Sequence, residues 1–228
     1  PDAFRLAFDY GSKHGADLII ATDPDCDRVG VAVLQHDHYV LLTGNQVGVL
    51  LADFLLTRLP PGQCRNQVIV KTIVTTNMIY PIARKYGAKV VDTLTGFKYI
   101  GSTIKELVSQ GEQFLFGFEE SCGYLAGSFA MDKDGVMGAL LVAQAAAYYR
   151  KLGLTLQDHL DQLMGEYGYH QETLQSYHFG NQTEVEQAQQ FIDYLRQAKI
   201  TEIAGCPVKS IKDYLNGTHV DLEENQTY

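Results

Sequence analysis

The stretch Val68-Ile69-Val70-Lys71-Thr72-Ile73-Val74-Thr75, a helical pattern over 77–86, Gly87 and the run Lys89-Val90-Val91-Asp92 together decide the fold class. An apolar β-branched run, a helix closed by glycine and a second apolar run read as strand, helix, strand. The unit then repeats, with a helical pattern over 98–109, Gly111 and the run Phe114–Phe118. Upstream, Leu18–Ala21 and Val29–Leu34 read as strands, and 3–14 and 45–58 as helices; downstream, 135–151 reads as a helix. The alternation predicts an α/β fold of βαβ units, a mainly parallel mixed sheet flanked by helices. Ligand sites in such sheets open at the carboxyl ends of strands, which directs attention to the loops there.

The texture changes near residue 166. A helix over 155–164, with Thr155 as N-cap and Leu156, Leu160, Leu163 and Met164 on its core face, leads into the polar and aromatic segment Glu166–Gln171. A strand-like run Leu174–Phe179, a Gln-rich helix over 184–198 and a short strand at Val208–Ile211 follow. These read as an incomplete α+β C-terminal unit.

At 228 residues the chain holds one large domain or two smaller ones. A net charge of −9 without a basic stripe argues against nucleic-acid and membrane-surface roles. No apolar run reaches the roughly 18 residues that span a bilayer, and no charged-then-apolar leader opens the chain. Cys26, Cys64, Cys122 and Cys206 lack C-x-x-C spacing, so neither a disulfide framework nor a zinc site is indicated and a cytoplasmic setting is expected.

Three loops carry the chemistry. In Asp23-Pro24-Asp25-Cys26-Asp27-Arg28, directly after the first strand, carboxylates at every second position project to one side of an extended backbone. Three such groups repel unless a cation sits among them, and oxygen-only ligands favour Mg²⁺ or Ca²⁺. An EF-hand is excluded, because Arg28 and Leu34 stand where glycine and glutamate are required. In Thr93-Leu94-Thr95-Gly96-Phe97-Lys98-Tyr99, Gly96 permits close backbone approach, Lys98 offers a cation, and Phe97 or Tyr99 can lie against a sugar ring or in the core. In Gly117-Phe118-Glu119-Glu120-Ser121-Cys122-Gly123, two adjacent carboxylates and a hydroxyl suit vicinal sugar hydroxyls. Beyond it, Asp132-Lys133-Asp134-Gly135 as an N-cap region needs no function of its own, but beside the loops above Lys133 becomes a candidate proton shuttle.

In this order the loops resemble the α-D-phosphohexomutases, the phosphoglucomutase and phosphomannomutase family, and Val70–Thr76 is similar to that family too. The resemblance implies Mg²⁺ on Asp23, Asp25 and Asp27, and a phosphate or catalytic contact at Arg28. It implies substrate contacts from Gly96, Phe97 and Lys98, sugar hydroxyls on Glu119 and Ser121, and a general acid or base at Lys133. It further implies interconversion of hexose 1-phosphate and hexose 6-phosphate, glucose foremost, through a phosphoserine. No Thr-Ala-Ser-His-Asn-Pro-like segment and no Arg-x-Ser-Gly-Thr-like clamp is present in the 228 residues. Residues 1–43 are therefore expected to complete a second domain, 44–165 to form the third and 166–228 to begin a fourth. The partners are then the sugar phosphate and the remaining domains, and this piece alone is expected to be inactive. Cys26 stands where the family usually has Gly or Ala.

Two other readings share the residues. Asp25-Cys26-Asp27-Arg28-Val29 has the letters of an aspartyl-phosphate phosphatase with Asp25 as nucleophile, although Thr22-Asp23-Pro24 separates it from the apolar run. A sugar-phosphate binding module with a structural metal is the non-enzymatic reading.

Overall fold

The computed structural model describes residues 2–60, 62–173, 177–198, 200–222 and 226–227. They fall into two compact units, Pro1–Glu172 and Thr173–Tyr228.

The first unit opens with a short 3₁₀ turn and helix α1 (Arg5–His14), followed by strands β1 (Leu18–Thr22), β2 (Val29–Gln35) and β3 (His38–Leu42). These strands form an antiparallel meander, with Leu18 opposite Val33 and Val31 opposite Leu42. The expectation that 18–21 and 29–34 belong to parallel units is thereby corrected. Only the six-residue acidic loop joins them, whereas a parallel crossover needs a dozen residues or more. Strand β3 was not anticipated; its alternation is broken by the exposed pair His38 and Leu41.

Helix α2 (Gly44–Arg58) begins at a capping box in which Thr43 accepts from Gln46 N and the Gln46 side chain accepts from Thr43 N. A second sheet is then built from β4 (Gln67–Thr72), α3 (Ile79–Tyr86), β5 (Lys89–Thr93), α4 (Phe97–Ser109), β6 (Gln113–Phe118) and β7 (Tyr124–Ala126). Its strand order is β5-β4-β6-β7, with β4 parallel to both neighbours and β7 antiparallel to β6. The predicted α/β class and mainly parallel sheet are observed here. Alternate residues of β4 divide between two cores: Val68 and Val70 pack with α4 through Phe97, Ile100 and Ile104, while Ile69 faces the larger core. That larger core joins α2, α3 and the meander to helices α5 (Gly135–Lys151) and α6 (Leu156–Tyr167). Thr155 caps α6 and Leu156, Leu160 and Leu163 are buried, as their spacing requires.

Strand β4 ends at Thr72 rather than Thr75, because Thr75 N turns back to Thr72 O at 3.0 Å. Strand β7, three residues between glycines, is too short to show a period.

The second unit contains α7 (Gln182–Gln197), the hairpin of β8 (Glu202–Ile203) with β9 (Cys206–Pro207), and an antiparallel sheet of β10 (Ser210–Asp213), β11 (Thr218–Asp221) and β12 (Gln226–Thr227). Of the expected strand Leu174–Phe179, residues 174–176 lie outside the described residues and 177–179 form no strand. Among the described residues no helix is long and apolar enough to cross a membrane.

Gly44 opens α2 against the loop after β6, and a Cβ there would sit 2.1 Å from Glu120 O and 2.7 Å from Cys122 N. Alanine ordinarily gains about 0.5–1 kcal/mol over glycine in a helix. Here overpacking against backbone outweighs that gain, so Gly44→Ala is expected to lose about 1–3 kcal/mol in urea unfolding. A variant as stable as the parent would show that the loop after β6 yields freely.

Candidate active site

The acidic loop is the turn of the β1–β2 hairpin. Cys26 N donates to Asp23 O at 3.0 Å, and Asp23 Oδ1 accepts from Asp27 N and Arg28 N at 3.2 and 3.1 Å. The Arg28 N–H is the main reason the Asp23 carboxyl is held below its ordinary pKa. Cys26 adopts a left-handed backbone with φ 57°. The turn places one oxygen of each of Asp23, Asp25 and Asp27 within 4.8 Å of the others.

Three further contacts fix the turn from outside. Gly135 N, at the start of α5, donates to Cys26 O at 2.9 Å, Val29 N donates to Cys122 O at 3.0 Å, and Arg28 and Gly123 form a β-bridge. The acidic loop is thus held against the loop after β6 and the first turn of α5.

Lys133, just before α5, crosses between these loops. Its ammonium lies 3.0 Å from Asp27 Oδ2, 3.1 Å from Asp132 Oδ1 and 5.4 Å from the centre of the Phe97 ring. Burial pulls the Lys133 pKa down, but the hydrogen bonds to Asp27 and Asp132 prevail and raise it. A lysine so held is a donor and a fixed charge; it is poorly suited to serve as a base.

Glu119 and Glu120 diverge. Glu119 is buried and its Oε1 accepts from Gly96 N at 3.1 Å, tying the loop after β6 to the loop after β5. Burial pushes its carboxyl pKa up, opposed by the charge of Lys133. Glu120 turns to β4, where its Oε2 meets Thr75 Oγ1 at 3.0 Å and Thr72 Oγ1 at 3.3 Å. The expectation that both carboxylates face vicinal hydroxyls is corrected: Glu120 is bonded to the protein's own threonines.

Of the sequence-derived candidates, Asp23, Asp25, Asp27, Arg28, Lys133, Glu119, Gly96 and Phe97 form one linked set. The Phe97 side chain is buried in the core beneath Lys133. Lys98 is exposed, with its ammonium 4.9 Å from the centre of the Tyr99 ring, and Ser121 is half-buried at the turn after Glu120.

Lys71 was not singled out. It is fully buried at the end of β4, 3.1 Å from Asp92 Oδ1 and within 3.3 and 3.1 Å of Thr72 O and Thr75 O. A lysine inside an apolar β-branched run was the available signal, since a buried ammonium must be paired. It clamps the turn whose threonines hold Glu120.

The profile of the α/β/α domain III of phosphoglucomutase/phosphomannomutase matches residues 43–167. The chain belongs to this family. A phosphoglucomutase of Staphylococcus aureus strain N315 is 34% identical over 226 residues, which are 99% of this chain and 40% of that protein. The chain therefore spans well under half the length of this curated relative. Among solved structures, a candidate phosphomannomutase of Thermus thermophilus is 25% identical with a TM-score of 0.60, over 74% of this chain and 35% of that one. The open form of parafusin, a phosphoglucomutase from Paramecium, shares the fold with a TM-score of 0.57 at 20% identity, over 94% of this chain and 35% of its own.

Because burial raises the Glu119 pKa, its ionised form opposes folding at neutral pH. The folded state holds its proton more tightly than the unfolded one, so stability from this group is present below the ordinary Glu value of 4.5 and falls as pH rises through the folded value. Glu119→Gln keeps an oxygen for Gly96 N without the charge. It is expected to be the more stable protein at pH 7 by thermal unfolding, the difference closing below about pH 4.5. A difference that stayed constant from pH 3 to pH 8 would show that charge is irrelevant at this position.

Proposed function

We propose that these residues are the metal- and sugar-binding part of a cytoplasmic, Mg²⁺-dependent α-D-phosphohexomutase that interconverts hexose 1-phosphate and hexose 6-phosphate, glucose being the hexose. In this reading residues 1–43 complete domain two, 44–165 are domain three and 166–228 begin domain four. The domain-three match at 43–167 supports that division. The phosphoryl carrier is a serine outside these residues, in keeping with the 40% share of the relative's length and the lack of a serine-loop segment in the sequence.

The observation that carries the proposal is the convergence of the acidic loop and the Glu119 loop, joined by the Arg28–Gly123 bridge with Lys133 crossing between them. Oxygens sharing one Mg²⁺ at about 2.1 Å lie no more than about 4.2 Å apart. The aspartate oxygens lie within 4.8 Å of one another, so they must draw closer to share one octahedral ion, on which adjacent oxygens stand about 3.0 Å apart, and all the donors are hard. Asp23, Asp25 and Asp27 would hold the ion, which when bound neutralises charge on the phosphoryl oxygens. Arg28, half-exposed beside Asp27, would contact phosphate. Glu119, kept in place by Gly96 N, would accept from sugar hydroxyls, with Ser121 beside it and Gly96 and Lys98 shaping an adjoining wall backed from the core by the Phe97 ring. Lys133, held as a cation, would deliver a proton to the leaving oxygen or balance its charge. Such positioning and charge neutralisation are what phosphoryl transfer requires of a protein.

The 228-residue chain is expected to turn over no glucose 1-phosphate, with or without glucose 1,6-bisphosphate, because it lacks the carrier serine. Turnover above background in a mass-verified sample would move an aspartyl phosphatase acting through Asp25 to first place. In the complete enzyme, losing a buried hydrogen bond worth about 1–3 kcal/mol in Glu119→Gln should lower kcat/KM by roughly one to two powers of ten. Mg²⁺ should still bind, because Glu119 is not among its ligands. Loss of Mg²⁺ binding with sugar affinity intact would place Glu119 in the metal site and overturn this division of roles.

A further inference from the structure

Lys133 is set so that a metal ion and its ammonium compete for one carboxylate. Its Nζ is 3.0 Å from Asp27 Oδ2, while Arg28 Nε stands 3.9 Å from Asp27 Oδ1. Both oxygens of Asp27 therefore face a cation. The Lys133 side chain is only 13% exposed, far less than the 72% of its other partner Asp132, so the lysine is built into the site and does not trail in solvent. Its stem runs over Gly123, where a Cβ would lie 2.3 Å from Lys133 Cδ and 2.8 Å from Cγ. Any side chain there would block the track. On the other side of the same point, Glu119 Oε2 is 3.4 Å from that Cβ position. Glu119 and the lysine stem thus lie beside one glycine, and the charge of Lys133 is already felt at the Glu119 carboxyl.

A divalent ion at about 2.1 Å from an Asp27 oxygen would sit within about 5 Å of an ammonium bonded to the same carboxylate, and the two repel. We propose that Lys133 is the resident counter-cation of the acidic loop: a divalent ion must displace it from Asp27, and the displaced ammonium passes to Glu119. Metal occupancy is then felt at the sugar-binding loop through one side chain. The inference rests on the acidic loop being the metal site.

The test is calorimetric titration of the 228-residue chain with Mg²⁺, for the parent, Lys133→Met, Lys133→Gln and Asp25→Asn, each checked for folding by circular dichroism. Lys133→Met is expected to bind Mg²⁺ about tenfold more tightly, and Lys133→Gln, whose amide still bonds Asp27, to shift in the same direction. At about 1 M KCl, where the screening length falls to ~3 Å, the ratio between variant and parent should persist, because contact competition is not screened. In the parent, Mg²⁺ should move the ¹³C carboxyl resonance of Glu119, and in Lys133→Met it should not. Equal or weaker binding in both lysine variants, or tightening that disappears at high salt, would overturn the proposal. If Asp25→Asn abolishes binding and the lysine variants do not tighten it, the relay alone is wrong. If binding survives Asp25→Asn, the metal lies elsewhere and both readings fall.

Discussion

The site depends on one backbone hydrogen bond, Gly135 N to Cys26 O at 2.9 Å. It joins the turn of an antiparallel hairpin to the first turn of a helix belonging to a different layer. Neither partner can be moved by a side-chain adjustment. A Cβ on Gly135 would sit 2.5 Å from that same carbonyl, so the approach is possible only for glycine. With the Val29 N to Cys122 O bond and the Arg28–Gly123 bridge, it makes the meander and the parallel sheet one mechanical piece at the place where their functional loops meet. The large apolar core common to both sheets provides the rest of the rigidity.

Electrostatics then follow from placement. Asp23 is satisfied by two backbone N–H groups, Asp27 by Lys133, Glu119 by Gly96 N, and Glu120 by Thr72 and Thr75. Asp25 is exposed at the tip of the turn. A cluster of like charges is tolerable because most of its members already have a partner of the right polarity, and the remaining demand is for a cation among the three aspartates. Lys71 does comparable work one layer below. It is buried against Asp92 and two carbonyls, and through them it holds the threonines that turn Glu120 away from Glu119.

The parallel sheet was legible because each βαβ unit repeats an apolar run, a helical period and a closing glycine, all local signals. The first hairpin was misread because β1 and β2 are apolar runs whose direction no local pattern encodes; loop length was the only cue. The acidic and Glu119 loops were legible as chemistry, since three alternating carboxylates and a Glu-Glu-Ser turn between glycines are unusual strings. The partition between Glu119 and Glu120 was not. Adjacent residues at a strand end point apart, and which one faces Thr72 and Thr75 depends on register with β4, where the β6 pairing shifts between Val68 and Ile69. Phe97 shows the same limit: an aromatic at a loop–helix junction can serve a ligand or a core, and three-dimensional packing puts its ring beneath Lys133 in the core.

Cys26 brings these strands of argument together. Its φ of 57° is the conformation glycine adopts most cheaply, and this chain instead carries a thiol there. A non-glycine residue in that region costs of order 1 kcal/mol, so the turn is over-determined by its surroundings. Those surroundings are the Asp23 carbonyl accepting from Cys26 N and the Gly135 N–H donating to Cys26 O. The strained residue is the one bonded on both sides, and the acidic groups flanking it are aimed by that constraint. The left-handed residue thus sits between Asp25 and Asp27, two of the three aspartates whose oxygens converge within 4.8 Å of one another.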